Sequence, residues 1–225
     1  MKTLVIIPCK NLEGVIGDVV REIKGQGPDL DVLVIDDGST DRTGDEARDA
    51  GAGVATHPEN RGKGAALKTG FAHATRRGYD AAITIDGDGQ HDPASIPAFV
   101  EAFGSGRWDI VVGSRMDAVG EMPGLRVWTN RTTSRVVSFL ARQEIPDSQS
   151  GYRIMGVDVL RDIADSLVTE KYDMESEILI RAGRRGYRIG AIPIESIYQD
   201  SVSHINPFID TLRFLGLVGR SLFWR

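Results

Sequence analysis

The sequence predicts an α/β fold, a mostly parallel β-sheet with helices on both faces. Three observations lead there. Short apolar runs at 4–7 (LVII), 32–35 (VLVI), 81–85 (AAITI) and 110–112 (IVV) recur through the first half of the chain. They are too continuously apolar for strands with one wet face, so they read as strands buried on both sides. Helical stretches lie between them. The ends of the second, fourth and fifth runs carry polar clusters, at the edge where open parallel sheets bind ligands.

Taken in order, the first run stops at Pro8, and a helix is expected over 13–24, ended by Gly25 and Gly27. The second run stops at Asp36-Asp37-Gly38, and Ser39-Thr40 are good caps for the next helix. A short third strand falls at 54–55 and a helix at 64–77. The fourth run ends at Asp86-Gly87-Asp88 and the fifth at Gly113-Ser114-Arg115. A polar turn at 147–153 enters a further strand, and Tyr172 to Glu177 begin a further helix.

The 225 residues, 41% hydrophobic and 26% charged, suit one catalytic domain over 1–205 and a C-terminal amphipathic helix over 206–225. The formal charge of −5 argues against a nucleic-acid partner. The single cysteine, Cys9, excludes an intramolecular disulfide and suits the cytosol. The apolar N-terminus is too short for a signal-peptide core, and no run reaches the ~20 apolar residues of a membrane span. His57, His73, His91 and His204 show no zinc spacing.

Asp86-Gly87-Asp88 is the sharpest feature. In an extended segment, residues i and i+2 face the same side, so both carboxylates would meet one point, and Gln90 repeats the spacing. Such oxygens form a partial shell for Mg²⁺ or Mn²⁺, with phosphates and water completing it. The plainer alternative is a solvated acidic turn. Asp37, with Asp36 beside it, is placed to accept from a ribose hydroxyl or a base N–H; capping of the next helix is the structural alternative. Asn60-Arg61-Gly62-Lys63-Gly64 precedes a helix, and its basic side chains and glycines suit a diphosphate, though it is not a Walker A loop. From Arg107 to Arg142 there are six arginines, no lysine and three acids, a local excess of three positive charges in an acidic chain. The arginine fork suits phosphate oxygens. Asp173 and Glu175 are base candidates, although acids in a first helical turn follow from the helix dipole alone.

Asn206 caps the final helix with Pro207 at its first position. Phe208, Leu212, Leu215, Val218 and Leu222 are expected along one face, with Asp210, Arg213 and Arg220 on another. That face suits docking on the domain, the default for such a helix, and Phe223-Trp224-Arg225 with the net positive end suit lying in a membrane interface as well.

The pieces Ile6-Ile7-Pro8, 34–41 (VIDDGSTD), 60–64 (NRGKG), 86–91 (DGDGQH), Gly113-Ser114-Arg115 and 149–153 (QSGYR) together resemble the family 2 glycosyltransferases, and within them the dolichyl-phosphate mannose synthase-like branch. The resemblance runs from residue 3 to about 200. It implies a GT-A fold and inverting transfer of a hexose from a nucleotide-diphosphate sugar, GDP-mannose or a UDP-sugar, to a polyprenyl phosphate. The donor site is expected to involve Pro8, Glu13, Asp36, Asp37, Lys63, Asp86 and Gly87. Asp86, Asp88 and Gln90 would hold the metal, Mg²⁺ or Mn²⁺. Arg115 and Arg131 would hold the acceptor phosphate, and Asp88 and Glu175 complete the expected catalytic set. The expected location is the cytoplasmic face of a membrane, through peripheral contact or a membrane protein partner. Three rival readings stand beside this one. The acceptor is a sugar hydroxyl, with Glu175 or Asp173 as base; the enzyme is a nucleotidyltransferase, against which Pro8-Cys9-Lys10-Asn11 stands where a Gly-rich loop belongs; or the chain binds nucleotide sugars without turning them over.

Overall fold

The computed structural model describes residues 1–116, 124–171, 173–195 and 207–224, with the side chains of 125, 126 and 207–210 left out. Tyr172, Asn206, His204, Asp117, Glu121, Arg225 and the side chains of Arg126, Phe208 and Asp210 therefore lie outside the described residues.

Seven strands form one sheet in the order β3-β2-β1-β4-β6-β5-β7. They are β1 (Thr3–Cys9), β2 (Leu30–Asp36), β3 (Gly53–Thr56), β4 (Ala81–Thr84), β5 (Ile110–Ser114), β6 (Arg153–Gly156) and β7 (Ile189–Pro193). β6 alone is antiparallel to its neighbours, pairing Thr84 with Arg153 on one side and Val112 with Arg153 on the other. The parallel sheet expected from the apolar runs is thus present, with one reversed strand inserted between β4 and β5. That reversal matters for the site. The loop entering β6 arrives at the same sheet edge as the loops leaving the parallel strands.

Side chains alternate across the sheet as the period of two requires. Val5, Ile7, Val32, Val34 and Ile83 pack with α1 (Ile16–Lys24), α2 (Thr43–Asp49) and α4 (Ile96–Gly104) on one face. Leu4, Ile6, Leu33, Ile35 and Met155 pack on the other face with α3 (Lys63–Arg76), α5 (Gly124–Ala141), α6 (Val157–Ile163), α7 (Met174–Arg184) and α8 (Pro207–Ser221). Ile6, Ile7, Ile35 and Ile83 are fully buried, each side chain contributing about 1.5–3 kcal/mol of transfer free energy.

Several boundaries differ from expectation by a few residues, and two of them bear on the site. The first helix begins at Ile16 rather than Glu13, because residues 10–15 form a loop tied to the segment after β2. Asn11 and Leu12 donate backbone N–H groups to Ser39 Oγ (2.9 Å) and Thr43 Oγ1 (2.7 Å). The fourth strand ends at Thr84, not Ile85.

The C-terminal helix corrects the expected face. Leu212, Leu215 and Leu222 are exposed, at 55, 57 and 63%. The docked side is Leu217, fully buried, with Phe214 and Val218 beside it. Val218 is the one described member of the expected face that packs inward. The helix is apolar on two sides, and an apolar count along one stripe could not say which side meets the domain. Docking is fixed by α7. Arg184 donates to the carbonyl of Ser221, and Arg181 lies 3.6 Å over the Trp224 ring. Among the described residues no helix is long and apolar enough to cross a membrane.

Candidate functional site

The site lies at the sheet edge where β2, β4 and β5 end and β6 begins. Its centre is Lys63, the first residue of α3. Lys63 Nζ is 2.6 Å from Asp86 Oδ1 and 2.7 Å from Glu175 Oε1. The lysine side chain is 16% exposed and Glu175 7%. Three parts of the chain meet here: the start of α3, the segment after β4 and the first turn of α7. Burial alone would raise the Asp86 carboxyl; the Lys63 ammonium, then the His91 hydrogen bond, outweigh it and hold Asp86 well below the ordinary carboxylate range. The same pairing, against the effect of burial, raises Lys63. Two buried polar atoms beside this cluster have no protein partner, Glu175 Oε2 and His91 Nδ1.

Gly151 makes the cluster possible. A Cβ there would stand 2.8 Å from Asp86 Oδ2 and 2.9 Å from Lys63 Nζ. In the sequence this glycine stands in a polar turn and within the QSGYR piece of the resemblance, without a role of its own; the reversed strand that brings it to Asp86 leaves no signal in the pattern. Arg153, also unassigned beforehand, is 1% exposed and donates to the carbonyls of Glu175 (2.9 Å) and Ser150 (3.2 Å), fixing both loops.

Asp86 and Asp88 do not sit on an extended segment. The strand has ended, and Gly87, Asp88 and Gly89 form a turn, with Gly89 at φ +75°. Period-two alternation therefore does not apply. Asp86 faces Lys63, while Asp88 Oδ1 accepts the N–H of Gln90 at 3.0 Å. Gly87 is needed for packing, since a Cβ there would meet Leu12, Ile7 and Ile16 side chains at 3.0–3.3 Å. Among the described residues no three His, Cys, Asp or Glu converge to hold a metal. The structure does not bring Asp86, Asp88 and Gln90 to one point, but in kind they are a set of hard oxygen donors, one of them held ionised. That fits Mg²⁺ or Mn²⁺, which take few protein ligands when phosphates and water supply the rest.

The remaining expected donor residues are drawn into loop structure. Asp37 is 5% exposed and accepts the N–H groups of Arg61 (3.0 Å) and Gly62 (2.6 Å), with His57 Nδ1 at 2.7 Å. Burial would raise it, and these bonds win, so it stays below its ordinary value. Its visible work is to tie the 57–62 loop, and with it Lys63, to the end of β2. Asp36 Oδ1 accepts from Ser39 N–H (2.9 Å), and Glu13 Oε2 from Arg42 N–H (3.3 Å). Pro8 sits half-buried in β1 opposite Ile35. The helix N-terminus offered for a diphosphate is partly occupied, because the Glu170 carbonyl accepts from Gly64 N–H (2.9 Å). Gly62, at φ +101°, passes so close to that carbonyl that a Cβ would stand 2.6 Å from it.

On the acceptor side the two expected arginines differ. Arg115 is half-buried and bidentate on Asp147, Nε–Oδ2 2.8 Å and Nη2–Oδ1 3.1 Å, with Asp147 fully buried. Arg131 is exposed on α5 and lines an open groove of about 800 Å³ with Arg135, Arg142, Phe139, Ile145 and Pro146. Segment 145–151 joins the two halves: Ile145 lines the groove, Asp147 holds Arg115, and Gly151 adjoins Asp86. Asp173, the other base candidate, lies 4.0 Å from Arg220 of α8, away from the Lys63 pair.

A mostly parallel sheet with one reversed strand and a polar cluster at its carboxyl edge make a GT-A-like α/β fold. The chain belongs to the family "Glycosyl transferase family 2", whose model matches residues 4–164. It is 31% identical over 209 residues to the undecaprenyl-phosphate mannosyltransferase of Micrococcus luteus, spanning 89% of this chain and 85% of that one. It is also 31% identical over 215 residues to the UDP-N-acetylglucosamine–dolichyl-phosphate N-acetylglucosaminyltransferase of Methanococcus voltae, spanning 87% and 85%. The fold matches glucosyl-3-phosphoglycerate synthase of Mycobacterium tuberculosis, solved with Mn²⁺, uridine diphosphate and glucosyl-3-phosphoglycerate, with a TM-score of 0.73 at 21% identity over 98% of this chain and 78% of that one. The protein is thus a glycosyltransferase with polyprenyl-phosphate sugar transferases among its relatives. The nucleotidyltransferase and non-catalytic readings fall away.

Proposed function

We propose that the protein transfers a hexose, with inversion, from a GDP- or UDP-sugar to a polyprenyl phosphate, working peripherally at the cytoplasmic face of a membrane. The observation that carries this reading is the junction of two unlike regions along segment 145–151. One is the Lys63–Asp86–Glu175 cluster, suited to a donor diphosphate with its cation. The other is the arginine-lined groove headed by Arg131, suited to an anionic acceptor. The relatives' names support the acceptor class; they differ in donor, mannosyl in one and UDP-N-acetylglucosamine in the other.

Asp86, Asp88 and Gln90 would hold the divalent cation, which when bound offsets the charge developing on the leaving diphosphate. The chain's own residues do the rest. Lys63 is held between two carboxylates, so its ammonium stays charged beside the place given to the donor diphosphate in this reading. Arg131 orients the acceptor phosphate, whose oxygen attacks the anomeric carbon as the bond to the diphosphate breaks and the nucleotide leaves. That oxygen is already ionised near neutral pH, so no protein base is required. Arg115, fixed on Asp147, positions the loop between the two sites.

A second reading is favoured by one observation. Glu175 Oε2 is buried without a partner, the state of a carboxylate waiting for a hydroxyl proton. In that reading the acceptor is a sugar hydroxyl. Transfer from labelled GDP- and UDP-sugars to a short-chain polyprenyl phosphate, with Mn²⁺ or with EDTA, separates the two. A metal-dependent lipid-phosphate sugar is expected. Donor turnover only when sugar hydroxyls are supplied would replace the proposal with the second reading.

A further inference from the structure

α5 presents one continuous exposed stripe. Trp128, Arg131, Arg135, Phe139 and Arg142 are exposed, while Asn130, Ser134, Val137, Leu140 and Ala141 are buried. The exposed positions are spaced by three or four residues, so they fall on one side of the helix and its immediate end. Trp128 and Phe139 are 66% and 81% exposed, a high cost for two large aromatic rings on a wet surface. Three arginines stand between and beside them. α5 contains no acidic residue, and Glu144 is the one acid lining the adjoining groove. This chain carries 32 acids against 27 bases, so an acid-free stripe of five such residues departs from its overall composition.

The end of α8 meets the end of α5 at Arg184. Arg184 donates to the Leu140 carbonyl at the end of α5 (3.0 Å) and to the Ser221 carbonyl near the end of α8. Beyond that junction, α8 exposes Leu212, Leu215, Leu222 and Phe223, the last at 86%. Aromatic rings interleaved with arginines, together with a row of exposed leucines, match the chemistry of a surface that is apolar below and anionic at its head groups.

We propose that the α5 stripe, with the exposed side of α8, is the surface by which the protein docks on an anionic lipid bilayer. Trp128 and Phe139 enter the head-group boundary and Arg135 and Arg142 meet lipid phosphates. Docking there sets the mouth of the Arg131 groove against the membrane, where a lipid acceptor's phosphate would lie. That last consequence rests on the acceptor reading above; the docking itself does not.

Flotation of the full chain with sealed vesicles tests it, without donor or acceptor present. One vesicle set is pure phosphatidylcholine; the other contains 30% phosphatidylglycerol. Flotation with the anionic set alone is expected, weakened by 0.5 M NaCl. In Arg135→Gln/Arg142→Gln the partition coefficient should fall about 30-fold, from roughly 1 kcal/mol lost per arginine near an anionic surface. In Trp128→Ser/Phe139→Ser it should fall on both salt settings. Transfer to a short-chain, water-soluble polyprenyl phosphate in the absence of vesicles is measured beside each variant. Because Arg135, Arg142 and Phe139 also line the acceptor groove, an intact fold is shown by unchanged far-ultraviolet circular dichroism and thermal unfolding of each variant, and a failure of transfer in every sample, wild type included, bears on the acceptor reading alone. Equal flotation of wild type and variants, or no flotation of wild type, would overturn the docking surface. Self-association of wild type that both double variants abolish, without flotation, would also overturn it, assigning the stripe to a second copy of the chain.

Discussion

Lys63→Met removes the cation that is ion-paired with both Asp86 and Glu175, and the structure sets the scale of the loss. Nζ lies 2.6 and 2.7 Å from the two carboxylates, whose side chains are 28% and 7% exposed. Breaking a buried pair from one side costs about 3–5 kcal/mol. The residual exposure of Asp86 places this case at about 3 kcal/mol, and at roughly 2–4 °C per kcal/mol for a chain of this size, Tm should fall by about 6–12 °C. The pH dependence is the sharper test. In the wild type the folded-state pKa of Asp86 is depressed, by Lys63 and His91 acting against burial. A depressed carboxylate contributes stability above its unfolded pKa of about 3.9 and loses it as pH falls through the lower folded value. The wild-type contribution is therefore level from pH 8 to pH 5. In the variant, burial and the facing carboxylate favour the protonated form, so one carboxyl takes up a proton in the folded state and stability recovers toward pH 5. Urea unfolding at pH 8, 6.5 and 5 should show the gap between variant and wild type narrowing by at least ~1.4 kcal/mol, the equivalent of one pKa unit. A gap that stays constant over that range, or a variant as stable as wild type at pH 8, would refute the reasoning.

The other expectations each isolate one residue. Glu175→Gln keeps an acceptor for Lys63; transfer to a polyprenyl phosphate should stay within about tenfold, whereas a catalytic base would cost ~10²–10⁴-fold in kcat. Asp88→Ala should abolish metal-stimulated turnover while leaving the far-ultraviolet circular dichroism unchanged, because Asp88 closes only its own turn; retained activity removes it from the cation shell. Gly151→Ala drives a methyl group into Asp86 and Lys63, and should lower stability by about 1–3 kcal/mol and reduce kcat together; a silent substitution would mean the loop yields freely. Arg115→Ala strands the fully buried Asp147 and should cost about 3–5 kcal/mol in chemical unfolding, while exposed Arg131→Ala should change stability by no more than about 0.5 kcal/mol and raise acceptor KM. The reverse pattern would exchange their roles.

The parallel strands were legible because burial on both faces leaves continuous apolar runs, and β1, β2, β4 and β5 fall where those runs lie. Strand direction leaves no comparable trace, so β6 at Arg153–Gly156 was read as one more strand and not as the reversed one. Lys63, Asp86 and Glu175 were each named from local motifs, but their pairing was not, since they are brought together from three distant segments. Arg115 and Arg131 looked alike in the sequence because charge alone does not distinguish a guanidinium locked on a buried carboxylate from one open to solvent.

The same limit explains α8 and gives the site its logic. An amphipathic pattern records that apolar residues exist on a helix, not which of two apolar sides finds a partner. In α8, Leu217 met the core and Leu212, Leu215 and Leu222 did not. In the sheet, one reversed strand sends the Asp147–Gly151 segment back across the carboxyl edge. Its far end, Gly151, leaves room for the Lys63–Asp86 pair, and its near end, Asp147, anchors Arg115 beside the arginine groove. Antiparallel pairing of β6 with both neighbours fixes that segment's register. Both pairings are made by Arg153, just beyond Gly151, while the Asp147 end is tied separately by Arg115 and by Ser148 N–H on Ser134 Oγ (2.9 Å), so the short stretch between two fixed ends transmits a displacement from one to the other. Disturbance at Asp147 should therefore reach donor affinity as well as acceptor affinity, although Asp147 has no direct contact with the Lys63 cluster.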